Sequence, residues 1–448
     1  MPGSKDPFAL SAVDARDAIR AGALSPVALV DACLARIRAL DPALQAWIHV
    51  DEAGARTQAA LREEEAKSGK LRGGLHGIPV GIKDIFDVAG MPTTAGAKPW
   101  AHTRPTQDAP SVQFLRNKGA IILGKTHTTQ FAYRDPAPTR NPWNPEHTPG
   151  GSSSGSGAAV AARMVPLALG SQTGGSVLRP AAYCGVVGYK PAHGAIPTDG
   201  VVPLAWSLDH VGVFGRSVPD VLLVLEVFAL WHPGGAIHRP ARLAIAPELL
   251  ARAEPDVAAQ VQAAARAFAG AGAAVDELKM PPSFAELADA GQAILESEAA
   301  AYHEPSFAKY ADQYGAGIRS CVEAGLKRPA AAYVRATRVR ARFRTEMGRL
   351  LASYDAVISP TAPAPAPRGL EWTGDASLCA PWSTAGFPSI TLPSGVAASG
   401  LPHAVQLSAV PDRNIMLLHF AGWCEQVLGF TAAPLDMGPH DAGPQTPV

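Results

Sequence analysis

The chain has 448 residues, 47% hydrophobic and 17% charged, which is ample for a large core. Lysine plus arginine and aspartate plus glutamate each number 39, and a net charge of zero argues against nucleic acid or an anionic membrane as a partner. The five cysteines, Cys33, Cys184, Cys321, Cys379 and Cys424, are scattered without a CxxC pair, which points to reduced thiols, a cytoplasmic setting and no zinc site.

Met1 to Leu10 lacks the apolar core of a signal peptide, and no run of 18 apolar residues suggests a membrane span. Ser11 to Leu40 reads as helices, with Ser25 as an N-cap before Pro26 and with Val27, Val30, Leu34 and Ile37 on one face. Asp41-Pro42 is expected to stop the second helix. Ala46 to Val50 reads as a strand and Glu52 to Gly69 as a polar, solvated helix. Leu75 to Phe86 is a buried-strand pattern that contains Lys83 and Asp84, and His76 before it reads as structural. Ser111 to Lys118 and Ala120 to Leu123 form a helix and a strand of an α/β sheet. Gly119 to Thr126 matches the Walker phosphate-loop expression, but its middle is a strand pattern rather than a turn, so no phosphate site is expected.

Phe131, Tyr133, Pro142 and Trp143 lead irregularly to Gly150-Gly151-Ser152-Ser153-Ser154-Gly155-Ser156-Gly157. An apolar stretch, Ala158 to Leu169, connects this loop to Gly170-Ser171-Gln172-Thr173-Gly174-Gly175-Ser176, with Arg179-Pro180 as a stop. Glycine lets the backbone approach a bound group, successive free N–H groups make an anion-binding nest, and hydroxyls beside such a nest are candidate nucleophiles. A flexible linker would not need the apolar stretch between two such loops. Cys184 to Tyr189 reads as a strand, and Asp209-His210 as structural. Val218 to Tyr354 is helical with few strands, and Arg335, Arg338, Arg340, Arg342 and Arg344 form a basic face balanced by nearby acids. Ala356 to Ser359, Ser389 to Pro393 and Ala404 to Ser408 are further strands, and Asn414 to Val427 is a closing helix.

Lys83 admits two readings. A lysine in an apolar run is commonly a snorkelling edge residue. Full desolvation would instead lower its pKa and make a neutral amine available as a base. The serine-rich nest favours the second reading.

These residues resemble the amidase signature family of serine hydrolases over nearly the whole chain. The matching stretches are Leu75 to Phe86, Gly124-Lys125-Thr126, Asn141 to Pro145, Gly150 to Pro191, Ser207-Leu208-Asp209 and Gly386 to Ile390. The resemblance implies a large mixed central β-sheet surrounded by α-helices, in one domain spanning 1–448. Its expected parts are N-terminal helices (1–70), a catalytic core (71–217), a helical cap-like region on the substrate side (218–354), and C-terminal strands and a helix completing the core (355–448).

By motif position the resemblance implies Ser176 as nucleophile, Ser152 as a bridging serine in a cis peptide, and Lys83 as base. It also implies an oxyanion hole from the N–H groups of Thr173, Gly174, Gly175 and Ser176. Ala132, Tyr133 and Gln172 are the expected substrate-binding residues. Three positions depart from the family pattern. Gln172 stands where aspartate is usual, Arg179 lies three rather than two residues after the nucleophile, and Ser154 replaces a glycine.

The implied activity is hydrolysis of small neutral amides, with anilides, carbamates and esters open, by a monomer or homodimer needing no cofactor or metal. The other readings are an amidotransferase component working with partner subunits, against which Gln172 speaks mildly, and a non-catalytic relative, against which the intact Lys83, Ser152 and Ser176 speak.

Overall fold

The structure, a computed structural model, describes residues 6–231 and 239–434. The Met1 to Leu10 reading therefore falls partly outside the described residues. Eleven strands form one mixed sheet. They are β1 (Trp47–Val50), β2 (Pro79–Lys83), β3 (Ile121–Thr126), β4 (Leu167–Gln172), β5 (Val187–Lys190), β6 (His210–Gly215), β7 (Arg242–Ile245), β8 (Ala274–Glu277), β9 (Ala356–Pro360), β10 (Ser389–Val396) and β11 (Pro402–Ser408). Their spatial order is β1-β3-β2-β4-β6-β5-β10-β11-β9-β7-β8.

The strands β2, β3, β4 and β6 are buried at every position. Helices cover both faces of such strands, which is why they read as continuous apolar runs rather than alternating ones. Strand β2 runs parallel to both β3 and β4, with Val80 opposite Leu167 and Ile82 opposite Leu169. Parallel pairing brings the carboxyl ends of β2 and β4 to the same edge of the sheet, where ligands of open α/β sheets bind.

On the N-terminal side lie α1 (Ala12–Arg20), α2 (Pro26–Leu44) and α3 (Glu52–Lys67). Ser25 caps α2 by accepting the N–H groups of Val27 and Ala28, as its sequence position predicts. Helix α2 does not stop at Asp41-Pro42. It continues to Leu44, and Asp41 Oδ1 ties the exiting chain by accepting from Ala46 N–H (2.7 Å) and Trp47 N–H (3.2 Å). Helices α4 (Pro110–Asn117), α5 (Ser154–Ala161) and α6 (Leu178–Cys184) follow. Arg179-Pro180 is thus not a stop. Proline is tolerated in a first turn, where its missing N–H has no intrahelical partner, and here it opens α6. That helix ends at Cys184 in left-handed Gly185, so the following strand starts at Val187 rather than Cys184.

The region 218–354 holds α7 (Val218–Val227), α8 (Pro247–Leu250), α9 (Pro255–Gly270), α10 (Phe284–Tyr310), α11 (Ala316–Leu326) and α12 (Ala330–Leu350). It is not only a helical cap, because β7 and β8 extend the main sheet from within it. These are four-residue strands: β7 offers only Leu243-Ala244-Ile245 as an apolar run, and β8, Ala274-Val275-Asp276-Glu277, is a mostly exposed edge. Within the basic face of α12, Arg340 reaches Ser207 and Arg342 pairs with Glu286. Helix α13 (Ala380–Ala385) packs against α10, and α14 (Asn414–Leu428) closes the described chain.

Candidate active site

Both glycine-serine loops close over the carboxyl ends of β2 and β4. The first runs from Gly150 into α5, and the second from Gln172 into α6. Gly150 has φ +82°, and a Cβ there would lie 2.9 Å from Pro180 Cα, so only glycine fits where the loops cross. Ser153 N–H donates to the Ser176 carbonyl at 3.3 Å, joining the two loops directly. The Gly151–Ser152 peptide is cis.

Lys83, at the end of β2, is 0% exposed. Its Nζ is hydrogen-bonded to Ser152 Oγ at 2.7 Å and to Ser171 Oγ at 2.8 Å. Among the described residues no carboxylate pairs with it. Burial holds its pKa well below the usual lysine range, with the negative charge of Asp209 pulling weakly the other way. A neutral amine can donate to one serine and accept from the other.

Two other lysines are equally buried and show the contrast. Lys125 pairs with Asp84 at 3.0 Å and donates to the Pro92 carbonyl, which fixes the loop after β2. Lys190, pushed down to about 7 by burial, donates to the Phe387 carbonyl at 2.5 Å. Of the three, Lys83 is the one bonded to two serine hydroxyls. His76 bonds to the Arg62 carbonyl and Arg72 N–H, a structural placement.

Gln172 does not line the cavity beside Ser176. It is 0% exposed, and its Oε1 accepts the N–H groups of Val177 (2.8 Å) and Leu178 (2.9 Å), which caps α6. Its Nε2 donates to Ser383 Oγ, whose own hydrogen goes to the Gly174 carbonyl at 2.6 Å. The expected substrate-binding residue is therefore a support beneath the loop. Among the described residues, no acceptor takes the N–H groups of Thr173, Gly174, Gly175 or Ser176. Gln172 sets the point at which this free set ends and the capped helix begins. Four successive unclaimed N–H groups suit an oxygen bearing negative charge.

Two residues read only as structural or as motif departures also reach the site. Asp209 Oδ1 accepts from Thr173 Oγ1 at 2.5 Å, and its Oδ2 accepts from Leu204 and Ala205 N–H. Burial pushes Asp209 up to about 6. Arg179, buried, donates to the carbonyls of Gly151 and Gly374, each at 2.7 Å. Ser171 is the residue that sequence reasoning missed. Its period-two offset from Leu169 on β4, opposite the strand that carries Lys83, was the available signal.

Ser176, 9% exposed, opens on a cavity of about 440 Å³. Leu204, Leu208, Phe284, Leu287, Leu295 and Trp372 supply apolar walls, and Ala132 and Tyr133 line it as well. Phe131 and Ala132 both adopt left-handed φ, +49° and +59°, a sparsely populated state for such residues. Phe131 is held there by its N–H bond to the Ala95 carbonyl and by rings of Trp100, His303 and Tyr314 within about 5 Å. The turn delivers Ala132 and Tyr133 to the cavity wall. Arg134 and Arg252 also line it, each stacked over a ring, Tyr133 at 5.2 Å and Phe284 at 4.6 Å.

The family model described as Amidase matches residues 28–418. The chain is 34% identical over 432 residues to an amidase of Pseudomonas putida, covering 89% of this chain and 92% of that one. It is also 34% identical over 452 residues to the A-type component of glutamyl-tRNA(Gln) amidotransferase from Roseiflexus castenholzii (strain DSM 13941 / HLO8), again covering 89% and 92%. Among solved structures it is similar to native peptide amidase from Stenotrophomonas maltophilia. The TM-score there is 0.81 at 30% identity, over 96% of this chain and 99% of that chain.

Proposed function

The chain belongs to the amidase family of hydrolases acting on C–N bonds, and on that premise we propose that it is a serine amidohydrolase of small neutral amides. The observation that carries this reading is the pairing of a carboxylate-free, fully buried Lys83 with Ser152 Oγ at 2.7 Å, beside the loop that bears Ser176.

Ser176 Oγ attacks the amide carbonyl carbon as its proton passes to Ser152 Oγ, and the Ser152 proton passes to neutral Lys83 Nζ. The oxygen that becomes negative accepts from the free N–H groups of Thr173 to Ser176. The C–N bond then breaks. The leaving nitrogen takes a proton from Ser152 Oγ, which Lys83 replaces, and the amine departs. Water attacks the Ser176 ester, gives its proton through Ser152 to Lys83, and Ser176 Oγ leaves with that proton. The net reaction is amide plus water to carboxylic acid plus amine, with no cofactor or metal required. Ser171, Gln172, Asp209 and Arg179 position these groups rather than react.

The apolar cavity walls favour an uncharged acyl group, and the guanidinium groups of Arg134 and Arg252 are held over the rings of Tyr133 and Phe284. Anilides, aryl carbamates and esters share the acyl- or carbamoyl-enzyme logic and belong to the same proposal. The test is hydrolysis of an acetanilide, an aliphatic primary amide and an aryl carbamate, with Ser176→Ala as control. Turnover that vanishes in the control supports the reading, and equal turnover by both proteins rejects it.

The similarity to an amidotransferase component favours a second reading, in which a similar chemistry releases ammonia to partner proteins. Turnover of the panel by the isolated chain separates the two. Among the described residues no helix is long and apolar enough to cross a membrane.

A further inference from the structure

Helix α10 reaches toward the site through an acid that lies outside every motif stretch. Glu298, 7% exposed, accepts three hydrogens. Its Oε2 takes the Ser207 N–H at 2.8 Å, and its Oε1 takes the Ser207 hydroxyl at 2.6 Å and the Tyr333 hydroxyl at 2.8 Å. Arg340 of α12 holds the same serine, its Nη1 donating to Ser207 Oγ at 2.9 Å and to the Ser207 carbonyl at 3.2 Å. A carboxylate has no hydrogen to offer and suits a place where three donors converge, and hydrogen bonds to ionised groups are the strong ones.

Ser207 belongs to a tight turn whose far end holds the oxyanion loop. The N–H groups of Leu208 and Asp209 both donate to the Ala205 carbonyl, and Asp209 Oδ2 accepts from Leu204 and Ala205 N–H. The turn is closed on itself, so Ser207 and Asp209 are fixed relative to one another. Asp209 Oδ1 then accepts from Oγ1 of Thr173, the first residue of the free N–H set, at 2.5 Å. Helix α10 meets the turn at two further places. Tyr302, four residues beyond Glu298 and so on the same face, stands edge-on to Trp206, and Ala290 and Ile294 share an apolar cluster with Ala205 and Leu208. The same helix walls the cavity beside Ser176 with Leu287, Gly291 and Leu295.

We propose that Glu298 is a positioning residue for the oxyanion loop, acting through Ser207 and Asp209 on Thr173. The inference rests on the amidohydrolase reading. It adds that α10 does more than wall the cavity: through Glu298 it fixes where the loop N–H groups point as the carbonyl oxygen becomes negative. Such an interaction counts more in the transition state than in ground-state binding, so its loss falls on kcat rather than on KM.

The experiment uses Glu298→Gln, which keeps the size of the side chain but sets an amide NH₂ among the Ser207 and Tyr333 donors. Four quantities are compared with wild type: kcat and KM on the preferred amide, the fraction of chain labelled to completion by a fluorophosphonate, and inhibition by an alkyl trifluoromethyl ketone and by the matching carboxylic acid. With the ketone, Ser176 Oγ bonds to the carbonyl carbon, the serine proton passes by way of Ser152 to Lys83, and the carbonyl oxygen becomes the anion that the loop holds. The labelled fraction should be unchanged. A fall of about tenfold in kcat is expected, with ketone inhibition weakened by a similar factor and with KM and acid inhibition changed by under about twofold. Unchanged kcat, or a fall matched by the labelled fraction, overturns the proposal.

Thr173→Val deletes the hydroxyl that joins the loop to Asp209 and keeps the Thr173 N–H. In that background Glu298→Gln should cost under about twofold in kcat, because the route is already cut. The same fractional loss in both backgrounds contradicts a route through Thr173. Ser207→Ala, which removes only the hydroxyl bond to Glu298 and its link to Arg340, guards against a Glu298 variant that does not fold. It should lower kcat by about threefold, again only while the Thr173 hydroxyl is present, and a loss independent of that hydroxyl counts against the proposal. Absence of labelling in the wild type would reject the underlying reading, and this inference with it.

Discussion

Arg179 Nη2 donates to the carbonyl oxygen of Gly151 at 2.7 Å, linking the helix that follows Ser176 to the peptide that precedes Ser152. The same guanidinium holds the Gly374 carbonyl and the Thr373 hydroxyl. One buried cation therefore sets the distance between the two serine loops.

Arg179→Met should lower kcat by roughly 10- to 100-fold, from the loss of charge-assisted hydrogen bonds worth about 1.5–3 kcal/mol, with KM changed by under about threefold. Steady-state kinetics on the preferred amide, with an unfolding curve for each protein, check it. A drop in stability with unchanged kcat would make Arg179 structural only.

Lys83→Met should reduce turnover by about 10²- to 10⁴-fold, the range of a lost general base. In wild type, kcat/KM should rise with pH as Lys83 loses its proton, and a flat profile from acid to alkaline pH would contradict a neutral base. Stability carries the same signature. Burial depresses the folded pKa of Lys83, so between the folded and unfolded values the unfolded chain holds a proton that the folded chain lacks. Wild-type stability should therefore rise with pH across that window. Denaturant midpoints at two pH values within it should show less of this gain in Lys83→Met.

Asp209→Asn removes a negative charge that favours protonated Lys83. The rising limb of the pH–rate profile should move to lower pH. The variant should also lose about tenfold in kcat, because Thr173 is held less firmly through its hydroxyl. A limb that moves to higher pH would show that another group titrates.

Gln172→Leu leaves the Val177 and Leu178 N–H groups without their acceptor, at roughly 1–3 kcal/mol for each buried group. Gln172→Glu keeps an acceptor at the same reach and should retain at least about a tenth of wild-type turnover. Thermal melts and kcat for both variants are the check. Equal damage by leucine and glutamate would mean that the Ser383 bond, not the helix cap, is what matters.

The pattern of legibility follows from where the information lies. Lys83 and the two glycine-serine loops stand out because a lysine in an apolar strand and glycine-rich loops break local rules, whereas Ser152 and Ser176 are picked out within those loops by their motif position in the family resemblance. The sheet is readable wherever strands are buried on both faces, as in β2 to β4. Strands β7 and β8 are not, because four-residue strands of mixed polarity, the second of them at the sheet edge, resemble the helices around them. The support under the site is equally hidden. Gln172 and Ser383 are 211 positions apart, and Arg179 and Gly374 are 195 apart. No local spacing encodes such a contact, so Gln172 reads as a substrate contact until its burial is seen.

The most direct test of Ser176 as nucleophile is intact-mass analysis after exposure to a fluorophosphonate, followed by peptide mapping. One adduct per chain is expected, on Ser176, formed faster as pH rises, slowed by Lys83→Met and absent in Ser176→Ala. No adduct, or an adduct on another residue that persists in Ser176→Ala, would contradict the assignment.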